Sequence, residues 1–85
     1  MASDLLEDLR RDIQQRVAEQ IARHRHADPN VDVHRVIDIQ FTHERVRLQK
    51  LAERFDQEAQ TELAGLCRLL ADEWLPELAR ELKKM

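Results

Sequence analysis

The chain is poor in the residues that small domains use as staples, hinges and nucleophiles. It has one cysteine, Cys67, so no disulfide can form within it and no second thiol offers a zinc framework. Its one glycine, Gly65, rules out a glycine-rich phosphate loop. No serine follows Ser3 and tyrosine is absent, which leaves few hydroxyl nucleophiles. Two phenylalanines and one tryptophan are too few for the aromatic platforms on which single-stranded nucleic acid stacks. No stretch approaches the roughly 18 consecutive apolar residues of a membrane span. The opening MASDLLEDLR is acidic and without an apolar run, so no secretory signal is expected and a reducing, cytoplasmic setting is the simplest reading. Eleven of the fourteen basic residues are arginine, which fits a GC-rich bacterial or phage genome.

What remains is short and charged. A chain of 85 residues is one small domain, 1–85, and buries only roughly 60–65% of the surface it exposes unfolded. With no covalent or metal staple, a partner chain is the expected remedy. The net charge of −3 is unevenly laid out: residues 1–9 and 55–85 are acidic, residues 10–54 basic. No half is basic enough to announce nucleic acid, and the layout suits chains that meet acidic part against basic part.

The spacing predicts a mostly α fold in three parts. An N-terminal helix of about 3–27 starts at Ser3 as N-cap, with Asp4, Glu7 and Asp8 favoured by the helix dipole. Leu6, Leu9, Ile13, Val17 and Ile21 form its stripe, and Glu7–Arg11, Asp12–Arg16 and Glu19–Arg23 are acid-before-base pairs four apart. Asp28-Pro29-Asn30 ends it.

From residue 31 to 42, ten of twelve positions alternate apolar and polar, with Arg35 and Val36 the misfits. That is the strand period, so a short extended or β segment is expected at about 31–41. The rival is a helix capped by Asp28, with Pro29 in its first turn and Val33, Val36, Ile37 and Phe41 on its face. A lone strand leaves its backbone groups unpaired, and the same strand of a second chain across a two-fold axis would satisfy them. The expected assembly is therefore a dimer.

Thr42 is the expected N-cap of the last helix, with Glu44 in its first turn. Apolar residues then keep phase from Leu48 through Leu51, Phe55, Ala59, Leu63, Leu66, Leu70, Trp74 and Leu78 to Leu82. One long helix of about 43–83, spanning roughly 60 Å, is expected, kinked near Pro76. Gly65 marks a close crossing or a bend. The stripe widens beyond Leu63, so this part should be buried against more than one neighbour.

The candidate chemistry is thin. His24 and His26 point about 200° apart on a helix, and His34 and His43 fall in separate elements, so no shared metal site follows. His43-Glu44 lacks the second histidine of HExxH. Cys67 on a crowded apolar helix reads as inert filling, and Asp72-Glu73 or Glu58-Glu62 as ordinary surface pairs. Arg47, Lys50 and Arg54 share a face, with Arg45 nearby, and are the residues a nucleic-acid reading would use. No cofactor, metal or small-molecule substrate is indicated, and a metal-dependent small enzyme is the weakest alternative. The expected function is a non-enzymatic interaction or regulatory protein, a homodimer or a small subunit of a larger complex. It would dock an apolar helix face through Leu63, Leu66, Leu70, Trp74, Leu78 and Leu82, with Ile39 and Phe41 in the strand seam.

Overall fold

In the computed structural model, which describes residues 2–84 and side chains from Asp4 to Lys84, the first helix, α1, runs Ala2–Ala27. Its apolar stripe buries as the spacing requires: Ile13 and Val17 are 1% exposed, and Leu6, Leu9 and Ile21 pack around them. Ser3, expected as the cap, falls inside the helix, and its side chain lies outside the described residues. Two of the expected pairs are replaced: Arg11 meets Asp8 at 3.4 Å, and Arg16 leaves its own helix for Glu44. The helix ends at an Asx turn, in which the Asp28 carboxylate accepts from the Asn30 amide at 3.0 Å.

The segment 31–41 is helix, not strand. α2 runs Val33–Gln57, and its N-cap is Asp32, whose carboxylate accepts from the Arg35 amide at 3.3 Å. The rival reading had the right face, since Val36, Ile37 and Phe41 are buried, but placed the start four residues early. Val31 and Val36 occupy the positions of a hydrophobic staple, one before the cap and four after it. Val36 and Arg35, the misfits of the alternation, are thus what a helix start needs. Ile39, which the strand reading put inside, is 46% exposed. With a helix here no open strand edge calls for a second chain, and the expected β seam through Ile39 and Phe41 falls.

The expected long helix of 43–83 is two antiparallel helices. Thr42 does not cap: it lies inside α2, and its hydroxyl donates to the Asp38 carbonyl at 2.9 Å. α2 stops at Ala59, the non-glycine residue with φ of 60°. Around it the Gln60 amide donates to the Phe55 carbonyl (2.7 Å) and the Ala59 amide to Asp56 (3.1 Å), the paired bonds of a Schellman ending. Glycine usually supplies that left-handed position, so an alanine hid the turn.

The chain then returns as α3 (Thr61–Leu69), a π-helical turn (Leu70–Trp74) and α4 (Leu75–Lys83), joined without a break. Where a kink at Pro76 was expected, the structure has a change of hydrogen-bond register. The Leu75 amide donates to Leu70, five residues back, and Pro76 sits in the first turn of α4. A proline cannot donate to the carbonyl four residues earlier and clashes with it, and the wider turn just ahead of it absorbs that conflict.

The three rods lie side by side in an elongated bundle of 46 × 19 × 17 Å. α2 is the centre: α1 and the returning helix each approach it closely, and approach each other less. The main core joins Ile13 and Val17 to Ile37, Phe41 and Leu48 of α2 and to Leu70, Ala71 and Leu75. Near the Ala59 turn a second cluster of Ala52, Ala64 and Cys67 lets α2 and α3 sit close. Arg45–Asp72, Arg68–Asp56 and Lys83–Asp38 lace the seam between α2 and the returning helix. Gly65 is at no close crossing: a Cβ there would meet nothing within 4 Å.

The glycine and the left-handed residue are therefore at different positions, and exchanging them should stabilise the fold. Ala59→Gly and Gly65→Ala should each raise unfolding stability by about 0.5–1 kcal/mol in urea titration. A loss of stability in Ala59→Gly would mean that the turn is not left-handed in solution.

Candidate interaction groove

Between α1 and α4, floored by the first turns of α2, lies an open groove of about 660 Å³. α1 lines it with Val17 and Ile21 at the bottom, and with Gln14, Ala18, Ala22 and Arg25 at the lip. Val33, His34 and Ile37 come from α2, and Leu78 and Leu82 from α4. The groove exists because α1 and α4 both pack on α2 while standing apart from one another. From Gln14 to Arg25 it follows α1 for about 16 Å, three helical turns. Its wall is aliphatic, and among the described residues its ionisable liners, Arg25 and His34, are at one end of the bundle. A smaller cleft of about 320 Å³ runs between α2 and α4 over Pro76, walled by Asp38, Thr42 and Arg45.

The residues expected to form a docking stripe are divided by this arrangement. Leu70 (1% exposed) and Phe41 (7%) belong to the interior of the bundle, so a folded chain cannot present them to a partner. Leu63 and Leu66 are half-buried on α3. Trp74 is half-buried too, with the Arg10 guanidinium 5.7 Å from its ring centre, a cation–π contact that ties α1 to the π turn. Leu78 and Leu82 alone line the groove. The signal for its other wall was legible: Ala18 and Ala22 widen the α1 stripe beside Val17 and Ile21, as the last helix widens beyond Leu63.

The basic quartet does not make one patch. Arg45 and Arg47 are two residues apart on a helix and so diverge by about 200°. Arg45 turns to Asp72 at 3.3 Å, and the Arg47 Nε lies 3.8 Å from Glu44 on the α1 side. Lys50 and Arg54 are exposed. Among the described residues, no three His, Cys, Asp or Glu side chains gather as a metal site would require. Cys67 is fully buried between Ala52 and Ala64, and burial pushes its thiol pKa up against a smaller pull from Arg68. The raised value means less thiolate at neutral pH than a free cysteine has, and the complete burial of Cys67 leaves no room for a reagent. Cys67 should label with a small thiol reagent only at the rate of unfolding, and prompt labelling of the native chain would contradict its placement.

Among the described residues the one buried charge is Glu44, 3% exposed on the inner face of α2. Arg16 grips it side-on, Nε to one carboxylate oxygen at 2.8 Å and Nη2 to the other at 2.9 Å. That hydrogen bond is the main cause of a raised Arg16 pKa, against opposing desolvation, so the guanidinium stays charged at any ordinary pH. The spacing put Glu44 in the first turn of a helix capped by Thr42, whereas it stands in the middle of α2. Its position three after Phe41 and four before Leu48, in phase with the apolar face, was the available signal. Arg16→Ala should cost about 2–3 kcal/mol, less than for a fully enclosed pair because the Arg16 side chain is 36% exposed. Arg16→Met with Glu44→Leu should recover stability to within about 1 kcal/mol of the native chain, as measured in denaturant melts.

No family model matches the sequence, and neither a curated protein nor a solved structure shows significant similarity to it. Among the described residues no helix is long and apolar enough to cross a membrane.

Proposed function

We propose that this is a non-enzymatic interaction protein of the cytoplasm, a homodimer or a small subunit of a larger complex, that receives an apolar helix in the groove between α1 and α4. One observation carries the reading: a three-turn aliphatic trench left open between helices that pack on a common neighbour. Three turns is the length over which an amphipathic helix presents anchors at i, i+3 or i+4, and i+7. Ile21, Val33, Leu78 and Leu82 are each half-buried at this groove, so a docked helix would remove more of their surface from water. Arg25 and His34 at one end would fix the direction of the incoming helix, since charge at a rim sets orientation more than affinity. The unpaired, buried thiol and the small core are in keeping with such a module.

This relocates the docking surface from the expected stripe to a face of which Leu78 and Leu82 are the surviving members. Ala18 and Ala22 are the positions with which to test it, because both line the groove and both are exposed. A photo-crosslinking amino acid placed at either should capture a partner in the source cell, and one placed at Glu53 on the outer face of α2 should not. Ala18→Glu with Ala22→Glu should abolish crosslinking from a probe at Gln14 while changing unfolding stability by no more than about 0.5 kcal/mol. Equal crosslinking from Ala22 and Glu53 would sink the docking reading.

A further inference from the structure

We propose that the helix received in the groove is acidic where it meets Arg25 and His34. It is an amphipathic segment whose apolar anchors are followed, within a turn at one end, by an aspartate or glutamate. The inference rests on the docking reading above and comes from two cations that the fold leaves without a counter-ion. Arg25 lies in the row Gln14, Ala18, Ile21, Arg25, spaced four, three and four, that forms the α1 wall, so its guanidinium projects over the groove. It is the one arginine of α1 with no acid three or four residues before it. Arg10, Arg11, Arg16 and Arg23 follow Glu7, Asp8, Asp12 and Glu19 at that spacing, whereas Arg25 follows Ile21 and Ala22. The carboxylates at this end of the bundle are engaged elsewhere. Asp28 accepts from the Asn30 amide at 3.0 Å, Asp32 from the Arg35 amide at 3.3 Å, and Asp38 pairs with Lys83. Among the described residues no carboxylate lines the groove, and neither Arg25 nor His34 is in a salt bridge. α4 adds no charge of a single sign: Glu77 and Glu81 are exposed outside the groove lining, and Lys84 stands within about 20° of Glu77 on the helix.

Desolvation selects among the helices that could lie here. A helix laid on Ile21, Leu78 and Leu82 reaches the Arg25 end and takes water from its guanidinium. An apolar end would leave that cation short of water and without a partner, which costs binding free energy. A basic end would be repelled as well. A carboxylate offsets the lost water, because a guanidinium grips it with two parallel N–H donors, as Arg16 grips Glu44 inside the bundle. His34, on the floor at the same end, offers a further donor to the same acid or its neighbour. The other end of the α1 wall is the uncharged Gln14, so the demand for an acid falls at one end of the incoming helix only.

The full chain with the photo-crosslinker at Ala18 tests this in the source cell. The captured segment is sequenced by mass spectrometry, and circular dichroism confirms that each variant keeps its helices. That segment should carry apolar residues at helical spacing, with Asp or Glu within about one turn of them at one end. Arg25→Glu should lower the yield by about tenfold or more, and Arg25→Lys by no more than about threefold. Arg23→Glu is the control: it makes the same change of charge at the same end of α1, about 200° round and so away from the groove. It should leave the yield within about twofold of native. Changing the acid of the captured segment to lysine should restore capture by the Arg25→Glu chain to within about threefold of native. A captured segment with no acid there, or a yield that Arg25→Glu and Arg23→Glu change alike, overturns the inference and leaves docking standing. No capture from either Ala18 or Ala22 overturns both.

Discussion

Ala59 is the hinge on which the architecture depends. Held at φ of 60°, it turns one apolar stripe back on itself, so the residues beyond it face those before it. A left-handed alanine costs about 1–2 kcal/mol against the helix the local sequence would otherwise continue. Burial of one leucine such as Leu70 or Leu75 contributes about 1.5–3 kcal/mol, and both are buried only if the chain reverses. Two leucines outweigh the strain, and Ala64, Cys67 and Ala71 add to the margin. Without the turn the last part of the chain would be a rod with a bare apolar side.

Once that hairpin exists, α1 has a surface to bind. The aliphatic contacts of Ile13 and Val17 are not directional, and a shift by one helical turn would preserve most of them. Glu44 and Arg16 limit that freedom, because the carboxylate buried on α2 takes both its short hydrogen bonds from Arg16, and a shifted register would leave it only Arg47, 3.8 Å away. Such a pair adds little net stability over an apolar filling, and its contribution is to uniqueness. The Arg10 contact to Trp74 serves the other end of the same problem, tying α1 to the returning helix where their backbones stand apart. The groove is the complement of this arrangement: α1 is held on α2 and at Trp74, and between those points and the α4 terminus its Ala18 and Ala22 side remains uncovered.

Much of the framework was legible from spacing alone. Local periodicity and capping chemistry determine that the chain is helical, that α1 ends at Asp28-Pro29-Asn30, and that Ile13 and Val17 face inward. Composition excludes a disulfide within the chain and a glycine-rich phosphate loop without reference to any fold. At 31–41 the sequence carried both periods, because β-branched residues fill every apolar position there but Phe41 and side-chain alternation coincides with the helical face at Val33, Ile37 and Phe41. Asp32 as cap and Val36 one turn on decide for the helix, and their effect depends on neighbours that the alternation count ignores.

The remaining features were decided by contacts between parts of the chain that are distant in sequence. A reversal at an alanine has no local signature, since its strain is offset only by burial made elsewhere. Glu44 looks like any surface glutamate until α1 covers it, and Leu70 like any exposed anchor until α2 does. The groove belongs to no single helix: it is the space left when two rods share a third. The sequence determined which faces of the rods avoid water. The tertiary structure decided which of those faces find each other and which remains open, because that choice minimises exposed apolar area over the whole chain, a quantity no local window contains.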